Sequence, residues 1–512
     1  MNRRQALGAI GKSLGLAVGA AIIPGLTLTE AARSTPAVPK SHQFDLILRG
    51  GQIVDGTGGF IFPGDVAVKG DTIAAVGHLP NDAAPRVIDC TGLCICPGII
   101  NLHSHTFEQV FNHPGNDSAV LQGITTELGG VDGRSPLPLR THLDRVEALG
   151  TGLNYAMLVG QGAVRSAVMG RSRSAAGNAE ITAMQRLVSE AMNQGAYGMS
   201  NALEYLPDTY SSTAEIIALA RVAGQYGGHY ATHLRCEGPQ MPEALEEAFR
   251  VGHEAALPVH ISHLKVRGKP NWYLAPTIFS QIDRALRDGF PLTADIYPYL
   301  GAIYTTNLPL SQAWPRHPSE HLIVKLSHDP DHHGRSIAGL AQDYGISEEE
   351  MVRDILAHRP GALVAAEEMR EEHLVQFLRR PCVIPSNDAS ARSWYEDDLR
   401  QRSLHPRTYG TFPRILGRYV RRLRALELED AIHRFTGRAA ALLGLKDRGA
   451  IRPGYYADLV AFNPDTVIDT SSWHAPQAQP AGIHHVFVNG SWAVRDGNLV
   501  EGARSGRVLR RT

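Results

Sequence analysis

Apolar runs alternate with helical stretches through residues 99–446, and this alternation most limits what the chain can fold into. "ITAMQRLVSEAM" places Ile181, Met184 and Val188 on one stripe, as an amphipathic helix requires, and the strand-like "GAYGMSNAL" follows. The helical "MPEALEEAFRVGHEA" and the strand-like "LPVHISHL" repeat the order. The units recur about every 30 residues, a spacing typical of βαβ units in a parallel sheet.

The length of this region separates two parallel folds. Roughly 350 residues are enough for a (β/α)₈ barrel. A doubly wound sheet predicts a glycine-rich phosphate-binding loop after the first strand, and the segment after "ICPGII" contains none. We therefore predict an α/β fold built on a (β/α)₈ TIM-like barrel over residues 99–446.

Both ends of the chain read as short strands. "FDLILRGGQIVDGTG" and "GDVAVKGDTIAAVG" lie within residues 44–98, and "HHVFVNGSWAVRDGNLV" lies within residues 447–505. Gly, Asp and Asn punctuate the strands, as in antiparallel hairpins. Neither segment is long enough to enclose a core easily by itself. The pattern predicts one composite β-sandwich domain formed from residues 44–98 and 447–505.

The N-terminal segment "MNRRQALGAIGKSLGLAVGAAIIPGLTL" resembles an export signal. Its apolar stretch is short, rich in Gly and Ala and interrupted by Lys12, and paired Arg3 and Arg4 precede it. These features predict a twin-arginine-type signal peptide over residues 1–33, recognised by export machinery, and a periplasmic or secreted mature protein. An uncleaved anchor or an unstructured tail is the alternative.

Composition excludes several classes of protein. The net charge of −1 does not favour binding to nucleic acid or to anionic lipid. No stretch after the N-terminal segment is long and apolar enough to span a membrane, so we expect no stable membrane span in the mature protein. Five cysteines, three of them close together, do not form a disulfide framework.

Four histidines and one aspartate follow different apolar runs of the predicted barrel. His103 and His105 close "ICPGIINLHSH", His233 closes "HYATH", His263 closes "VHISH", and Asp388 closes "PCVIPSND". Residues i and i+2 of a strand share a face, so His103 and His105 can reach one ion. A single strand-end histidine is usually structural, but this set predicts a metal site at the carboxyl-terminal mouth. Imidazole and carboxylate suit one or two Zn²⁺ ions, with other divalent metals as alternatives.

These residues lie within motifs that resemble the amidohydrolase superfamily, and within it the D-aminoacylase (N-acyl-D-amino-acid deacylase) group. The resemblance covers roughly residues 44–500 and rests on "GGQIVDGTG", "PGIINLHSH", "GMSNALEY", "YATHLRCEG", "VHISHLK", "ADIYPY" and "HPRTYGTFPRILGRYV". It implies a distorted barrel with a β-sandwich. It also implies hydrolysis of the amide bond of N-acyl-D-amino acids, or of similar N-acyl amino acids, by metal-activated water.

The resemblance also implies roles for individual residues. The four histidines match the family's metal ligands. Asp388 matches a ligand that also serves as general base and then protonates the leaving amine, a role that suits a carboxylate beside metal-activated water. Lys265, Tyr297 and Arg407 match positions that hold the carboxylate of the small-molecule substrate. A surface ion pair is the alternative role for Lys265 and Arg407.

The chain departs from the family pattern around the same site. Asn101 stands where the motif usually begins with Asp, and Phe107 replaces an acidic residue after the two histidines. The usual metal-binding Cys is absent from "GGVDG", where either Asp132 or Glu127 could replace it. Gln161 stands where the group commonly has His. We expect Phe107 to favour an apolar or aromatic group on the substrate.

The sequence is also compatible with two other classes of enzyme and with a binding protein. Cyclic-amide hydrolases of the hydantoinase and dihydroorotase type use a carboxylated lysine on a middle strand, and "GAYGMSNALEY" has no Lys. A dipeptidase is an alternative because a dipeptide is also an N-acyl amino acid. Outside enzymes, the alternative is a degenerate periplasmic binding protein, which would not need a general base.

Overall fold

The computed structural model describes most of the chain. The described residues are 43–80, 83–305, 322–325, 335–358, 363–395 and 404–511. The predicted signal peptide over residues 1–33 lies outside them. No helix in the described part combines the length and apolar character needed to cross a bilayer.

The strands, in chain order, are β1 (Leu46–Ile53), β2 (Phe62–Lys69), β3 (Thr72–Gly77), β4 (Val87–Asp89), β5 (Cys94–Pro97), β6 (Ile99–Asn101), β7 (Ile124–Gly129), β8 (Asn154–Met157), β9 (Val159–Gly160), β10 (Gly198–Ala202), β11 (His229–His233), β12 (Val259–Ile261), β13 (Leu292–Ile296), β14 (Gly301–Thr305), β15 (Leu322–Lys325), β16 (Leu363–Glu367), β17 (Val383–Pro385), β18 (Leu459–Phe462), β19 (Ile483–Val488), β20 (Ser491–Arg495) and β21 (Asn498–Leu499).

The α-helices are α1 (Asp117–Val120), α2 (Leu139–Leu149), α3 (Gln161–Met169), α4 (Asn178–Asn193), α5 (Thr213–Gln225), α6 (Met241–Ala255), α7 (Ala275–Arg287), α8 (Ile337–Tyr344), α9 (Glu348–His358), α10 (Glu371–Leu378), α11 (Arg407–Arg414), α12 (Leu428–His433) and α13 (Ala439–Leu443). π-helical turns continue α11 and α12 over Ile415–Arg422 and Arg434–Arg438. Short 3₁₀ helices span Thr106–Glu108, Asp208–Tyr210 and Lys269–Leu274.

Strands from both ends of the chain form one nine-stranded sheet. Its order is β21-β20-β19-β18-β5-β1-β2-β3, and β4 pairs with β1. The two ends meet where β18 runs antiparallel to β5. Leu48, Ile95 and Phe487 pack in a buried cluster on this sheet, so each end supplies part of the core that the other lacks.

The middle of the chain forms the predicted barrel. One parallel sheet has the order β6-β7-β8, and a second has the order β9-β10-β11-β12-β13-β17. Only Leu158 separates β8 from β9, so these two act as one strand and the barrel has eight. A parallel bridge between Ser104 and Ala389 joins the segments that follow β6 and β17. The (β/α)₈ prediction is therefore confirmed. The antiparallel sheet β14-β16-β15 is inserted between β13 and β17.

Local sequence signals account for the helices that cover the barrel. The Ser212 side chain caps α5 by accepting a hydrogen bond from the backbone N–H of Glu215 at 3.2 Å, as a capping box requires. Met184 and Val188 of α4 are completely buried. Because these residues face the strands, the helical stripe in the sequence fixes which side of α4 covers the barrel.

Candidate metal centre

The His-Ser-His triplet lies just beyond its strand. We expected it to close the strand, but β6 ends at Asn101. The triplet follows a bend at Leu102, and Ser104 forms a bridge to Ala389. The side chain of Ser104 donates a hydrogen bond to Glu127 at 3.0 Å, while His103 and His105 face the barrel mouth. The alternation of side chains thus persists beyond the ladder and brings both imidazoles to one side.

The first group of donors combines these histidines with two carboxylates. Nε2 of His103 and Nε2 of His105 lie 3.4 and 3.2 Å from Oδ1 of Asp388. Each Nε2 atom also lies 3.4 Å from Oδ2 of Asp132. Donor atoms of all four residues lie within 4.8 Å of one another, a spacing that could hold one metal ion.

The second group adjoins the first through Asp132. Nδ1 of His233 lies 2.9 Å from Nε2 of His263, and that nitrogen lies 3.9 Å from Oδ1 of Asp132. Asp132 therefore turns one carboxylate oxygen towards each group. The structure brings together the four histidines and Asp388 that the sequence predicted as ligands, and Asp132 stands between the two sets.

Glu127, the other candidate to replace the missing Cys, lies elsewhere. It is behind the His-Ser-His triplet, where it accepts hydrogen bonds from Ser104, from Thr106 and, at 2.7 Å, from Asn116. Burial raises the pKa of Glu127 to about 6, although these hydrogen bonds lower it. Its neighbours are neutral donors, so Glu127 supports the triplet from outside the two donor groups.

Backbone strain marks the same place. Asp132, His263 and Asp388 have φ angles of 52°, 33° and 46°, in the left-handed region that non-glycine residues rarely adopt. Such conformations cost about 1–3 kcal/mol each and persist where the surrounding structure imposes them. Three such residues in one cluster mark it as a candidate functional site.

A carboxylate contacts the outer ring nitrogen of three histidines. Asp295 lies 3.1 Å from Nδ1 of His103, Glu204 lies 3.1 Å from Nε2 of His233, and Glu237 lies 2.9 Å from Nδ1 of His263. An outer nitrogen that donates to a carboxylate leaves the inner nitrogen with a free lone pair. Carboxylate–histidine pairs of this kind orient the imidazoles of metal sites.

Sequence reasoning did not assign roles to Asp295, Glu204 and Glu237. All three lie in motifs that carry the family resemblance, "ADIYPY", "GMSNALEY" and "YATHLRCEG". The available signal was an acidic residue close to the carboxyl-terminal end of a barrel strand. Which histidine each carboxylate contacts depends on neighbours in space, and the sequence does not show these.

The electrostatics of the first group favour a cation. Burial opposes protonation of His103, but the charges of Asp295, Asp132 and Asp388 outweigh it and raise its pKa well above the usual value. Burial also opposes protonation of His105, but Asp132 and Asp388 outweigh it and raise the pKa of His105 to about 9. Although burial opposes ionisation, the neighbouring charges hold the pKa values of Asp132 and Asp388 well below the usual range. The two carboxylates are therefore ionised, and a cation bound between them would be stabilised by their negative charges.

The residues present fit a divalent metal. Nε2 of His103 and Oδ1 of Asp132 are buried and make no hydrogen bond. A buried polar atom without a partner is costly, and here both atoms face the place where the ligand atoms converge. Imidazole nitrogens with carboxylate oxygens form a donor set typical of Zn²⁺ and neighbouring transition ions.

The predicted carboxylate clamp borders the metal centre. Nζ of Lys265 lies 5.9 Å from the centroid of the Tyr297 ring, and Cζ of Arg407 lies 4.4 Å from it. Lys265 also contacts Glu237 at 2.5 Å, and Arg407 contacts Asp388 at 2.8 Å. Lys265 is therefore linked to the carboxylate that contacts His263, and Arg407 is linked to a carboxylate of the first donor group, so the clamp and the centre form one charged network.

One cavity of about 590 Å³ connects these parts. The clamp and donors of both metal groups line it. Phe107, Leu206 and Ile303 add apolar surface to its wall. A molecule that carries both an anionic group and an apolar group would match this lining.

Two other departures from the family pattern have structural roles. The side chain of Asn101 donates to Asn387 at 2.8 Å and accepts from its backbone N–H at 3.0 Å, which ties β6 to the segment that carries Asp388. Gln161 is buried and exchanges hydrogen bonds with Asn201 and Ser211. Neither residue belongs to the two donor groups.

An eight-stranded barrel with adjoining histidine and carboxylate groups at its mouth defines a metal-binding hydrolase of the amidohydrolase type. Residues 399–494 match the sequence model described as "Amidohydrolase family". The D-aminoacylase of Alcaligenes xylosoxydans xylosoxydans is 35% identical over 497 residues, which cover 92% of this chain and 99% of the relative. The chain therefore belongs to the amidohydrolase family, in its D-aminoacylase group.

Solved structures support the same assignment. A D-aminoacylase described by its binuclear metal centre superimposes with a TM-score of 0.80 at 35% identity, covering 91% of this chain and 100% of the other. The N-acyl-D-glutamate deacylase from Bordetella bronchiseptica, complexed with zinc and a phosphonate mimic of the tetrahedral intermediate, gives 0.82 at 31% identity and covers 92% and 100%.

Proposed function

We propose that the protein hydrolyses the amide bond of N-acyl-D-amino acids, with Zn²⁺ as its first candidate metal. The observation that carries this proposal is the position of Asp388. One of its oxygens faces the nitrogens of His103 and His105, and the other contacts Arg407 of the carboxylate clamp. Membership of the D-aminoacylase group and the zinc-containing relative support the same chemistry.

Two sets of residues would hold the metal. One is His103, His105 and Asp388, the other is His233 and His263, and Asp132 is available to both. A bound divalent ion supplies Lewis acidity, which polarises the amide carbonyl and lowers the pKa of water. Because a carboxylate replaces the usual thiolate, we expect the centre to accept a wider range of divalent ions than a site containing cysteine.

Asp388 performs the proton transfers. As an ionised carboxylate it accepts a proton from the attacking water while the new C–O bond forms. It then donates that proton to the amide nitrogen as the C–N bond breaks, so the amine leaves neutral. Because Arg407 contacts the carboxylate at 2.8 Å, it holds Asp388 in a fixed orientation through both steps.

The clamp binds the carboxylate of the amino acid. Arg407 can present two N–H groups to a carboxylate, Lys265 adds a compact charge, and the Tyr297 hydroxyl adds a hydrogen bond. Anchoring the carboxylate beside Asp388 places the amide bond next to the metal centre. Positioning of this kind contributes to catalysis because it converts a bimolecular encounter into a bound geometry.

The apolar part of the cavity wall favours substrates with apolar or aromatic groups. Phe107 reaches the cavity where an acidic residue is usual, and Leu206 and Ile303 also line it. The nearby Arg134 is already paired with Glu108 at 2.8 Å. We therefore expect an N-acyl-D-phenylalanine or N-acyl-D-leucine to be cleaved faster than an N-acyl-D-glutamate.

A substrate screen with the zinc-reconstituted protein tests the proposal. It compares N-acyl-D- and N-acyl-L-amino acids, dipeptides and hydantoins. Hydrolysis of N-acyl-D-amino acids is the expected result. Activity on cyclic amides alone would overturn the proposal, and activity on dipeptides alone would indicate a dipeptidase. Ligand binding without turnover of any compound would indicate a binding protein.

We also propose that the protein is exported to the periplasm or beyond. Arg3 and Arg4 before the weakly apolar N-terminal stretch support this location. Replacing both arginines by lysine should retain the protein in the cytosol, as cell fractionation would show. An unchanged distribution between the fractions would contradict twin-arginine export.

A further inference from the structure

Two carboxylates contact His233 and His263, and two cations pair with these carboxylates. Glu204 contacts Nε2 of His233 at 3.1 Å, and Glu237 contacts Nδ1 of His263 at 2.9 Å. Lys265 and Arg267 neutralise these two carboxylates. We call Glu204, Glu237, Lys265 and Arg267 the outer charge cluster.

Arg267 joins the two carboxylates of the outer charge cluster. Its guanidinium grips both oxygens of Glu204, with Nη1 at 2.7 Å from Oε2 and Nη2 on Oε1. Nη1 also lies 3.4 Å from Oε2 of Glu237. A forked pair fixes the plane of a carboxylate as well as its position. The orientation of Glu204 towards His233 is therefore imposed by Arg267.

The outer charge cluster is not a further metal site. Glu204, His233 and Glu237 present donor atoms within 4.8 Å of one another, a spacing at which three such groups could hold an ion. The guanidinium of Arg267 already contacts both carboxylates and supplies the positive charge there. The cluster must therefore act through the imidazoles that it contacts.

A carboxylate on the outer N–H of a metal-binding imidazole fixes the tautomer and increases the basicity of the inner nitrogen. With Nε2 of His233 held by Glu204, its Nδ1 is the nitrogen that faces His263. We propose that Glu204 is a positioning residue that determines how tightly Asp132, His233 and His263 hold a metal ion, with Arg267 keeping Glu204 in place. The inference rests on the proposed function only in requiring a divalent metal at this centre.

The chain offers a matched control for Glu204. Glu215 also pairs with an arginine, Arg165, at 2.5 Å, and both side chains are buried. Neither belongs to the groups of possible metal ligands. Glu215→Gln therefore reproduces the loss of a buried ion pair without touching a histidine of the centre.

Cobalt titration of the full chain, first stripped of metal with a chelator, tests the inference. Visible absorption follows the uptake of Co²⁺ and yields the dissociation constant of each ion. Glu204→Gln keeps the size of the side chain and should weaken one ion by about 10- to 100-fold, as for other carboxylates that support metal-binding histidines. Glu215→Gln should stay within about threefold of the unmodified protein, because it leaves those histidines untouched.

Arg267→Lys provides a second variant if Glu204→Gln does not fold. Lysine keeps the positive charge but cannot grip both oxygens of Glu204, so the same ion should weaken by about 3- to 10-fold. If the protein takes up only one ion, that ion must show these losses. Titrations of Glu204→Gln or Arg267→Lys that match Glu215→Gln would overturn the inference. Because the probe is Co²⁺ alone, this result is independent of whether N-acyl-D-amino acids are hydrolysed.

Discussion

Nη1 of Arg407 lies 2.8 Å from Oδ2 of Asp388, so the residue proposed to anchor the substrate also contacts the proposed general base. Replacing Arg407 by Met should therefore affect both binding and proton transfer. We expect kcat/KM for N-acyl-D-amino acids to fall about 100-fold, equivalent to about 2.7 kcal/mol. Steady-state kinetics measure this, and Arg284→Met, which removes an exposed arginine, serves as the control. A loss that is equally large in the control would contradict the assignment.

Asp388 should be indispensable for turnover but not for metal uptake. Asp388→Asn removes the charge that accepts the proton, and general-base losses are typically 10²- to 10⁴-fold, so we expect about a 1,000-fold fall in kcat. The remaining histidines and Asp132 should still retain metal. Elemental analysis beside kinetics separates the two effects. A variant that keeps its kcat would show that Asp388 is not the base.

Phe107 should select for apolar substrates. Phe107→Asp removes an apolar wall and adds a charge, so kcat/KM for N-acyl-D-phenylalanine should fall by about 10- to 100-fold relative to N-acyl-D-alanine. Phe107→Leu, which keeps an apolar wall, should retain most of the preference. The ratio of the two kcat/KM values is the measurement. If the ratio is unchanged in Phe107→Asp, Phe107 does not select for apolar substrates.

The fold followed from the sequence because its signals are periodic and local. Alternating segments predicted the eight-stranded barrel, and the positions of His233, His263 and Asp388 after apolar runs predicted a common mouth. The sequence did not predict that β6 ends at Asn101, because the end of a strand depends on where its hydrogen bonds to neighbouring strands stop. The choice between Asp132 and Glu127 was also beyond the sequence, because Glu127 lies within β7 and Asp132 just after it, and the sequence does not show which of them faces the histidines.

Asp208 should make stability depend on pH. Burial, supported by the charge of Glu215, raises its pKa to about 8 in the folded protein, against about 4 in the unfolded chain. The folded state thus holds the proton more tightly, so this contribution to the free energy of unfolding is complete below pH 4. It declines as the pH rises towards 8.

Asp208→Asn removes this titration. The free energy of unfolding of the variant, minus that of the unmodified protein, should therefore increase as the pH rises from 5 to 8. Urea denaturation at each pH measures this difference. Asp288→Asn alters an exposed aspartate at the end of α7 and serves as the control. A difference for Asp208→Asn that does not change with pH would contradict the buried, protonated state.

The resemblance to the D-aminoacylase group implies a metal-binding Cys where this chain has Asp132, and introducing a Cys there tests whether Asp132 is a ligand. In Asp132→Cys loaded with Co²⁺, a thiolate bound to the ion should produce an intense near-ultraviolet absorption that the unmodified protein lacks. Asp132→Ser, of similar size but without a thiolate, should lack the band and bind less metal. Because cysteine is the softer ligand, Asp132→Cys should also shift the preference from Mn²⁺ towards Zn²⁺. Absence of the band in a variant that still takes up Co²⁺ would place Asp132 outside the ligand set.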